Sequence, residues 1–280
     1  MLSPLRNILL VLPLYCLLTL QAEAQVTIAP TELFIDEQNR FGTFMVMNNS
    51  DQTQEVNLDF LFGYPATDNT GNTYMRYDDE EAEALYSASE WIRGFPRVFI
   101  LEPGARQTVR LTVRPPADIP DGMYWTRIKT TSNPVTPDLV DGVGDNVSAR
   151  LTFRVEQITT GFYKKGAVTT GLEVANSQIH IEENKAAITT GLSRTGNAPF
   201  IGRKKLQVLN ESGDVVFSHE KNTTVYLKAV RKIEYDISEW PAGRYSAEIT
   251  FVTERRNISS RDLAQSDPIS ETVYFTINER

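Results

Sequence analysis

The chain has 280 residues, of which 41% are hydrophobic and 23% are charged, and its formal net charge is −8 at pH 7. This length suits two domains of ordinary size, each large enough to bury its own core. The negative charge argues against nucleic acid as a partner, because phosphate backbones need a concentrated basic face, and it would also repel an anionic lipid surface.

The chain begins with the layout of a secretory signal peptide. Arg6 precedes an apolar run from Ile8 to Leu20, and Ala22-Glu23-Ala24 offers small residues for cleavage. The run is too short for a stable membrane span, although an uncleaved anchor is the alternative. We therefore predict a signal peptide at residues 1–24, export to the periplasm and no integral membrane span.

The only cysteine, Cys16, lies inside this apolar run. The mature chain would therefore have no disulfide, no thiol nucleophile and no thiolate metal site. Exported sandwich domains of animals usually carry a disulfide across the core, so a cysteine-free exported chain favours a bacterial envelope.

After the signal, apolar and polar residues alternate over short stretches separated by turn-forming residues, which is typical of half-buried strands. In the first half of the chain the pattern predicts seven strands, a number typical of one immunoglobulin-like sandwich. They are Val26–Ile35, Phe41–Met47, Gln54–Phe62, Arg97–Leu101, Gln107–Val113, Met123–Thr130 and Val147–Thr160.

One segment, near residues 78–92, breaks the strand pattern. The acidic residues Asp78 to Glu81 precede Ala82, Leu85 and Tyr86 at helical spacing, and Gly94 is a plausible stop. Acidic side chains oppose the positive N-terminal end of a helix dipole, so we predict a short helical insertion. A calcium site is the alternative, but the alternating oxygen ligands and turn glycine that it needs are absent.

A second strand-rich series follows Gly166, with a hairpin reversal predicted at Ser212-Gly213. Its predicted strands are Ile179–Glu182, Ala187–Leu192, Lys205–Leu209, Val215–Ser218, Thr223–Leu227, Lys232–Ile237, Tyr245–Thr253 and Ile269–Ile277. The sequence therefore predicts an all-β chain with two tandem immunoglobulin-like β-sandwich domains, at residues 25–162 and 166–280, after a cleaved signal peptide.

A repeat relates the two series. Pro120 to Tyr124 and Pro241 to Tyr245 each follow a Val-Arg pair at identical spacing. A tyrosine just after such a turn can donate a hydrogen bond to upstream backbone and fix the corner of a sandwich. We expect Tyr124 and Tyr245 to play this role.

No catalytic pattern is present. His180 and His219 stand alone without metal-ligand spacing, and no nucleophile elbow, phosphate loop or zinc-binding helix occurs. We predict no enzymatic activity, no cofactor and no metal, the alternative being a hydrolase with a carboxylate pair assembled from distant strands.

The segment from Asn146 to Glu156 is the most informative about function. Its apolar side chains share one face of a strand, and they are Val147, Ala149, Leu151, Phe153 and Val155. The segment is either the last core strand of the first sandwich or an edge strand that offers apolar side chains and open backbone to another chain by β-augmentation. These two interpretations are compatible.

The first half of the chain resembles the periplasmic pilus-assembly chaperones of the PapD-like family. The matching stretches are Val26 to Leu33, Met45 to Asp51, Phe99 to Arg110, and Leu151 to Val155 running into Gly161-Phe162-Tyr163-Lys164. The resemblance implies two immunoglobulin-like domains set at an angle. It also implies that the final strand of the first domain completes the sandwich of a pilus subunit that lacks its own last strand.

In this family two basic residues in the cleft between the domains hold the carboxylate at the end of the subunit. The resemblance aligns Glu32 and Thr160 with those positions, and Glu32 would repel a carboxylate. Lys164, Lys165 and Arg127 are candidates to replace the missing basic residues.

The resulting prediction is a chaperone that caps pilus or surface-fibre subunits by donating an edge strand, with an outer-membrane usher as a further candidate partner. The alternative is an envelope structural or adhesive protein that binds glycan, peptidoglycan or another surface protein through sandwich loops. Trp91, Tyr74, Tyr77 and Tyr86 in the insertion could then stack on sugars.

Overall fold

The computed structural model describes residues 26–135 and 153–279, so the predicted signal peptide and the predicted donor residues Val147, Ala149 and Leu151 lie outside the described residues. The first part of the fold has strands β1 Val26–Ala29, β2 Glu32–Asp36, β3 Phe41–Asn48, β4 Gln54–Leu61, β5 Tyr64–Thr67, β6 Thr73–Arg76, helix α1 Glu80–Tyr86, β7 Ile92–Phe95, β8 Val98–Leu101, β9 Arg106–Val113, β10 Gly122–Pro134 and β11 Val155–Lys165. The second part has β12 Thr170–Glu182, β13 Lys185–Gly196, β14 Phe200–Leu209, β15 Val215–Val225, β16 Lys228–Asp236, β17 Gly243–Val252 and β18 Ile269–Ile277.

The strands form two sandwiches, which confirms the predicted all-β fold. The first packs the sheet β1-β3-β9-β7 against the sheet β2-β11-β10-β4-β8, and the second packs β12-β13-β16 against β15-β14-β17-β18. Strands β5 and β6 form a separate hairpin. Each sandwich has its own buried cluster of apolar side chains, with Val46, Leu58 and Leu111 fully buried in the first and Leu206 and Val208 in the second. Burial of each such side chain contributes about 1.5–3 kcal/mol.

The predicted strand Val26–Ile35 is in fact two strands in different sheets. Residues Val26 to Ala29 pair with β3, whereas Glu32 to Asp36 pair in parallel with β11. Pro30 lies between them, and proline cannot donate a hydrogen bond to a strand ladder. The prediction of one continuous strand was therefore wrong, because alternation of side chains does not reveal a change of sheet.

Strand β11 also departs from the prediction. It continues past the predicted strand end at Thr160 to Lys165, beyond the predicted domain end at residue 162, and it pairs with β10 along its whole length. Gly166 follows with a positive φ of 56°, and a Cβ there would overlap the Asp121 carboxylate. We propose that the boundary between the sandwiches lies at Gly166 rather than at residue 162.

The chain between β4 and β8 contains more strand than the sequence suggested. Strands β5, β6 and β7 were not predicted, whereas a helix does form at Glu80–Tyr86. Asp79 caps this helix, because its carboxylate accepts a hydrogen bond from the Ala82 amide at 3.1 Å. The helix is shorter than the acidic and apolar pattern indicated, and it ends at Tyr86 before Trp91.

The second sandwich follows the predicted order with longer strands. The stretches Val215–Ser218 and Thr223–Leu227 are not separate, since β15 runs unbroken from Val215 to Val225. The predicted hairpin joins β14 to β15, and Gly213 at its tip has a φ of 83° that favours glycine.

The repeated tyrosines make the predicted corner contacts. The Tyr124 hydroxyl donates to the Pro120 carbonyl at 2.8 Å, and the Tyr245 hydroxyl donates to the Pro241 carbonyl at 2.8 Å. Both rings are buried in the core of their sandwich. The identical contact supports the interpretation of the sequence repeat as a repeat of structure.

Replacing either corner tyrosine by phenylalanine should lower the free energy of unfolding by about 1 kcal/mol, because a partly buried carbonyl loses its donor while the ring remains. Urea denaturation of Tyr124→Phe and Tyr245→Phe measures this loss. Tyr274→Phe is the matched control, since Tyr274 is 79% exposed on β18 and should change stability by less than about 0.5 kcal/mol. Equal stability of all three variants would contradict the corner role.

Candidate functional site

The first half of β11 is an open edge of its sheet. Strand β2 pairs with β11 only from Thr160 to Lys164, because the chain before Pro30 belongs to the opposite sheet. On the other side β10 pairs with β11 from Val155 onward. Within the described residues the segment Val155–Thr159 therefore has a strand neighbour on one side only, and its outer backbone groups are available to another strand.

Two of the five predicted donor residues can be located. Phe153 is 60% exposed and precedes β11, whereas Val155 is half-buried at its first position. Val147, Ala149 and Leu151 lie outside the described residues, so their placement stays a prediction. A large exposed phenylalanine next to an open strand edge is the arrangement that β-augmentation uses.

The structure brings three of the predicted cleft residues into one row. Thr160 pairs with Glu32 across β2 and β11, and with Arg127 across β10 and β11. Directly opposed residues on neighbouring strands have Cβ atoms about 4.5–5.5 Å apart and share a face of the sheet. Glu32, Thr160 and Arg127 therefore line one side of the cleft between the two sandwiches, which we call the crease.

Arg127 is held deep in this crease, with only 6% of its surface exposed. Its Nε donates to the Gly63 carbonyl at 2.9 Å, and its Nη1 donates to the Thr160 hydroxyl. The guanidinium lies 4.8 Å from the centre of the Tyr226 ring of the second sandwich. Its Nη2 is buried and has no hydrogen-bond partner among the described residues. One strong donor of the crease is thus unused.

The negative charge of Glu32 is neutralised by a residue of the second sandwich. Its Oε1 lies 3.3 Å from Nη2 of Arg255, and Asn257 donates to Oε2 at 3.5 Å. The Arg255 side chain is only 9% exposed and that of Glu32 26% exposed, so water screens this ion pair weakly. Sequence reasoning missed Arg255, because nothing in a loop between β17 and β18 indicates which distant carboxylate it faces.

Lys164 and Lys165 do not join the row. The Lys164 ammonium donates to the carbonyls of Arg261 at 2.8 Å and Asp262 at 3.2 Å, and Lys165 donates to the Ile119 carbonyl at 2.6 Å. Lys164 is four residues from Thr160 along β11, which is about 13 Å of extended strand. Both lysines hold loops in place, so Arg127 is the candidate that the geometry favours.

An aromatic cluster closes the crease beneath Arg127. The Trp125 ring lies 4.9 Å from that of Tyr226 and 5.5 Å from that of Phe62, and Phe162 stacks on Phe34 at 4.8 Å. Burial raises the pKa of the Tyr226 hydroxyl. Residues of both sandwiches are buried in this cluster. It therefore fixes the crease as a packed contact.

The aromatic residues of the insertion divide into two groups. Trp91 packs on Tyr124 with ring centres 4.9 Å apart, and Tyr86 stacks on Trp125 at 5.2 Å. Tyr74 and Tyr77 are 49% and 42% exposed. Two of the four residues considered for sugar stacking are therefore occupied by packing inside the protein.

No group of three or more histidine, cysteine, aspartate or glutamate side chains in residues 26–135 and 153–279 is arranged to hold a metal ion. Over the same part of the chain, no helix has the length and apolar character needed to cross a membrane.

Comparison with known proteins finds similarity in structure alone. No family model and no curated protein sequence matches the chain. The chain is similar to the YadV chaperone, with 9% identity and a TM-score of 0.46 over 91% of this chain and 100% of that one. It is also similar to the class 5 fimbriae chaperone CfaA, with 16% identity and a TM-score of 0.45 over 88% and 98% of the two chains. A third similar structure is the CupB2 chaperone of Pseudomonas aeruginosa, with 11% identity and a TM-score of 0.43 over 90% and 100%.

Removing the charge of Glu32 should destabilise the protein, because Glu32→Gln leaves the buried Arg255 guanidinium without its carboxylate. We expect a loss of about 1–3 kcal/mol in the free energy of unfolding. Glu211→Gln is the matched control, since the Glu211–Arg244 pair has side chains 57% and 82% exposed and should contribute less than about 1 kcal/mol. Chemical denaturation measures the free energy of unfolding of both variants. An equal loss in the two would contradict this expectation, because it would show that the Glu32–Arg255 pair is as solvent-screened as a surface pair.

Proposed function

We propose that the chain is a periplasmic chaperone that binds and caps pilus or surface-fibre subunits by adding its own strand to their incomplete sandwich. The observation that carries this proposal is the open edge of β11 at Val155–Thr159, which directly follows the alternating sequence that ends at Phe153 and Val155. The two-sandwich fold and the sequence resemblance to the PapD-like family support the same function.

The physical basis is that the open sheet edge of the subunit and the open strand edge of this chain can pair with each other. A sandwich that lacks its last strand exposes a long apolar groove and a row of unpaired backbone groups, both of which favour association with an extended segment. An alternating donor satisfies the backbone and fills the groove at every second residue. Each apolar side chain buried in this way contributes about 1.5–3 kcal/mol, so a row of several residues offsets much of the entropic cost of association.

We further propose that Arg127 receives the terminal carboxylate of the subunit. Arg255 already neutralises Glu32, so Glu32 no longer opposes an anion in the crease as a free negative charge. The unused Nη2 of Arg127 is the donor that a carboxylate would satisfy, and such charge-assisted hydrogen bonds are about twice as strong as neutral ones. The outer-membrane usher stays a predicted partner.

Replacing Leu151 and Phe153 together by serine should weaken subunit capture at least ~10-fold, because two apolar side chains no longer enter the groove and each 1.4 kcal/mol corresponds to a factor of ten. The measurement is co-purification from the periplasm with a co-expressed fibre subunit, quantified against the unchanged chain. Thermal denaturation checks that the double variant remains folded.

The matched control is Val98→Ser with Ile100→Ser. These side chains are 55% and 62% exposed on β8, which forms the opposite edge of the same sheet. The control removes a comparable apolar pair without touching β11, so capture should be unchanged. Normal capture by the Leu151 and Phe153 variant, or loss of capture by the β8 variant alone, would contradict strand donation by β11.

A further inference from the structure

A cavity of about 420 Å³ lies between the second sandwich and the β5–β6 hairpin. Strand β14 contributes Lys204, β15 contributes Lys221 and Thr223, and β16 contributes Arg231 and Lys232. The hairpin closes the cavity from the other side with Pro65, Gly71 and Thr73. The cavity therefore lies between the second sandwich and a hairpin of the first half of the chain, and it is distinct from the β11 edge and the crease that contains Arg127.

Lys204 is the unusual residue of this cavity. Only 5% of its surface is exposed, and it lies on the inward face of β14 together with Leu206 and Val208. No hydrogen bond or ion pair of its ammonium group occurs among the described residues. Lysines are almost never fully buried without a partner, because desolvating an unpaired charge is costly.

The neighbours of Lys204 add to this cost. Lys221 lies directly opposite it on β15, and like charges in that position destabilise a sheet. Burial, followed by the charges of Arg231 and Lys221, lowers the pKa of Lys204 to about 8. The fold thus holds an inward-facing amine among cations that disfavour its charged form.

The other cations are oriented toward the same space. Arg231 donates from Nε to the Thr223 hydroxyl at 3.2 Å and from Nη2 to the Thr224 carbonyl at 2.7 Å, which fixes its guanidinium and leaves Nη1 uncommitted. Lys232 is ion-paired with Glu234 at 2.8 Å, and among the described residues Glu234 is the one carboxylate that lines the cavity. Three cations, Lys204, Lys221 and Arg231, are left without a carboxylate in the described part of the chain.

We infer that this cavity binds a phosphate monoester, with the phosphate group between Lys204, Lys221 and Arg231. Three converging cations match a dianion better than a single carboxylate. A lysine as a point charge, an oriented guanidinium and a threonine hydroxyl are the donors that phosphate oxygens use. This binding site goes beyond the proposed chaperone function and does not depend on it.

The test is the thermal stability of the purified chain with and without ligand. Glycerol 3-phosphate at about 100 times its Kd should raise Tm by about 5 °C, since a ligand that binds only the folded state stabilises it by mass action. Sodium chloride and sodium acetate at equal ionic strength should give no comparable rise. An equal rise with acetate or chloride would overturn the site.

Lys204→Met is the decisive variant, and Lys205→Met is its matched control on the exposed face of the same strand. Without ligand, Lys204→Met should be at least as stable as the unchanged chain, because it removes a buried charge beside two cations. It should also lose the phosphate-dependent rise in Tm, whereas Lys205→Met should keep it. Retention of the rise in Lys204→Met, measured also as heat of binding by calorimetry, would overturn the inference.

The source of the phosphate group is decided by a second binding experiment. Vesicles of phosphatidylcholine with phosphatidic acid present the same monoester on a membrane. If the protein sediments with these vesicles and Lys204→Met abolishes the sedimentation, the phosphate group belongs to a lipid. If glycerol 3-phosphate stabilises the protein and the protein does not sediment with the vesicles, the group belongs to a soluble ester. If Lys204→Met sediments with the vesicles as the unchanged chain does, and glycerol 3-phosphate does not raise the Tm of the protein, the result would contradict the site.

Discussion

A strand can complete only one sheet at a time, and the function proposed for this protein depends on that constraint. The chain pairs with β3 as far as Ala29 and then crosses at Pro30 to pair with β11 from Glu32. Because the crossing occurs there, the first half of β11 has no strand on its outer side within residues 26–135 and 153–279. The open edge therefore follows from where the first strand changes sheet, and the exposed Phe153 directly precedes it.

The crease between the sandwiches depends on polar and aromatic contacts acting together. Trp125 and Tyr226 pack the interface, and Arg127 lies over the Tyr226 ring, its Nη2 without a hydrogen-bond partner in the part of the chain that the structure describes. The ion pair between Glu32 and Arg255 adds a second connection between the sandwiches. Removal of either partner of such a pair leaves a poorly solvated charge, so the crease is sensitive to single substitutions. The same contacts keep Arg127 in place beside the β11 edge.

Features that depend on local pattern could be predicted from the sequence, whereas features that depend on distant partners could not. Side-chain alternation predicts strands such as β4 and β9, and the repeated turn predicts the Tyr124 and Tyr245 corners. Alternation does not reveal the crossing at Pro30, since both of its strands show the same period. The partner of Glu32 and the burial of Lys204 arise only when separate strands and loops meet in space, so neither has a signal in the sequence.

Backbone hydrogen exchange of the protein, alone and bound to a fibre subunit, tests strand donation most directly. The account predicts that the outward-facing amides of Glu156 and Ile158, which share the side of β11 from which the Thr160 amide donates to Thr31, exchange faster in the free protein and are protected in the complex, because a new strand pairs with that side. The amides of β8, at the opposite edge of the sheet, should exchange at the same rate in both states. Protection confined to β8 or to the loops, with β11 unchanged, would contradict the account.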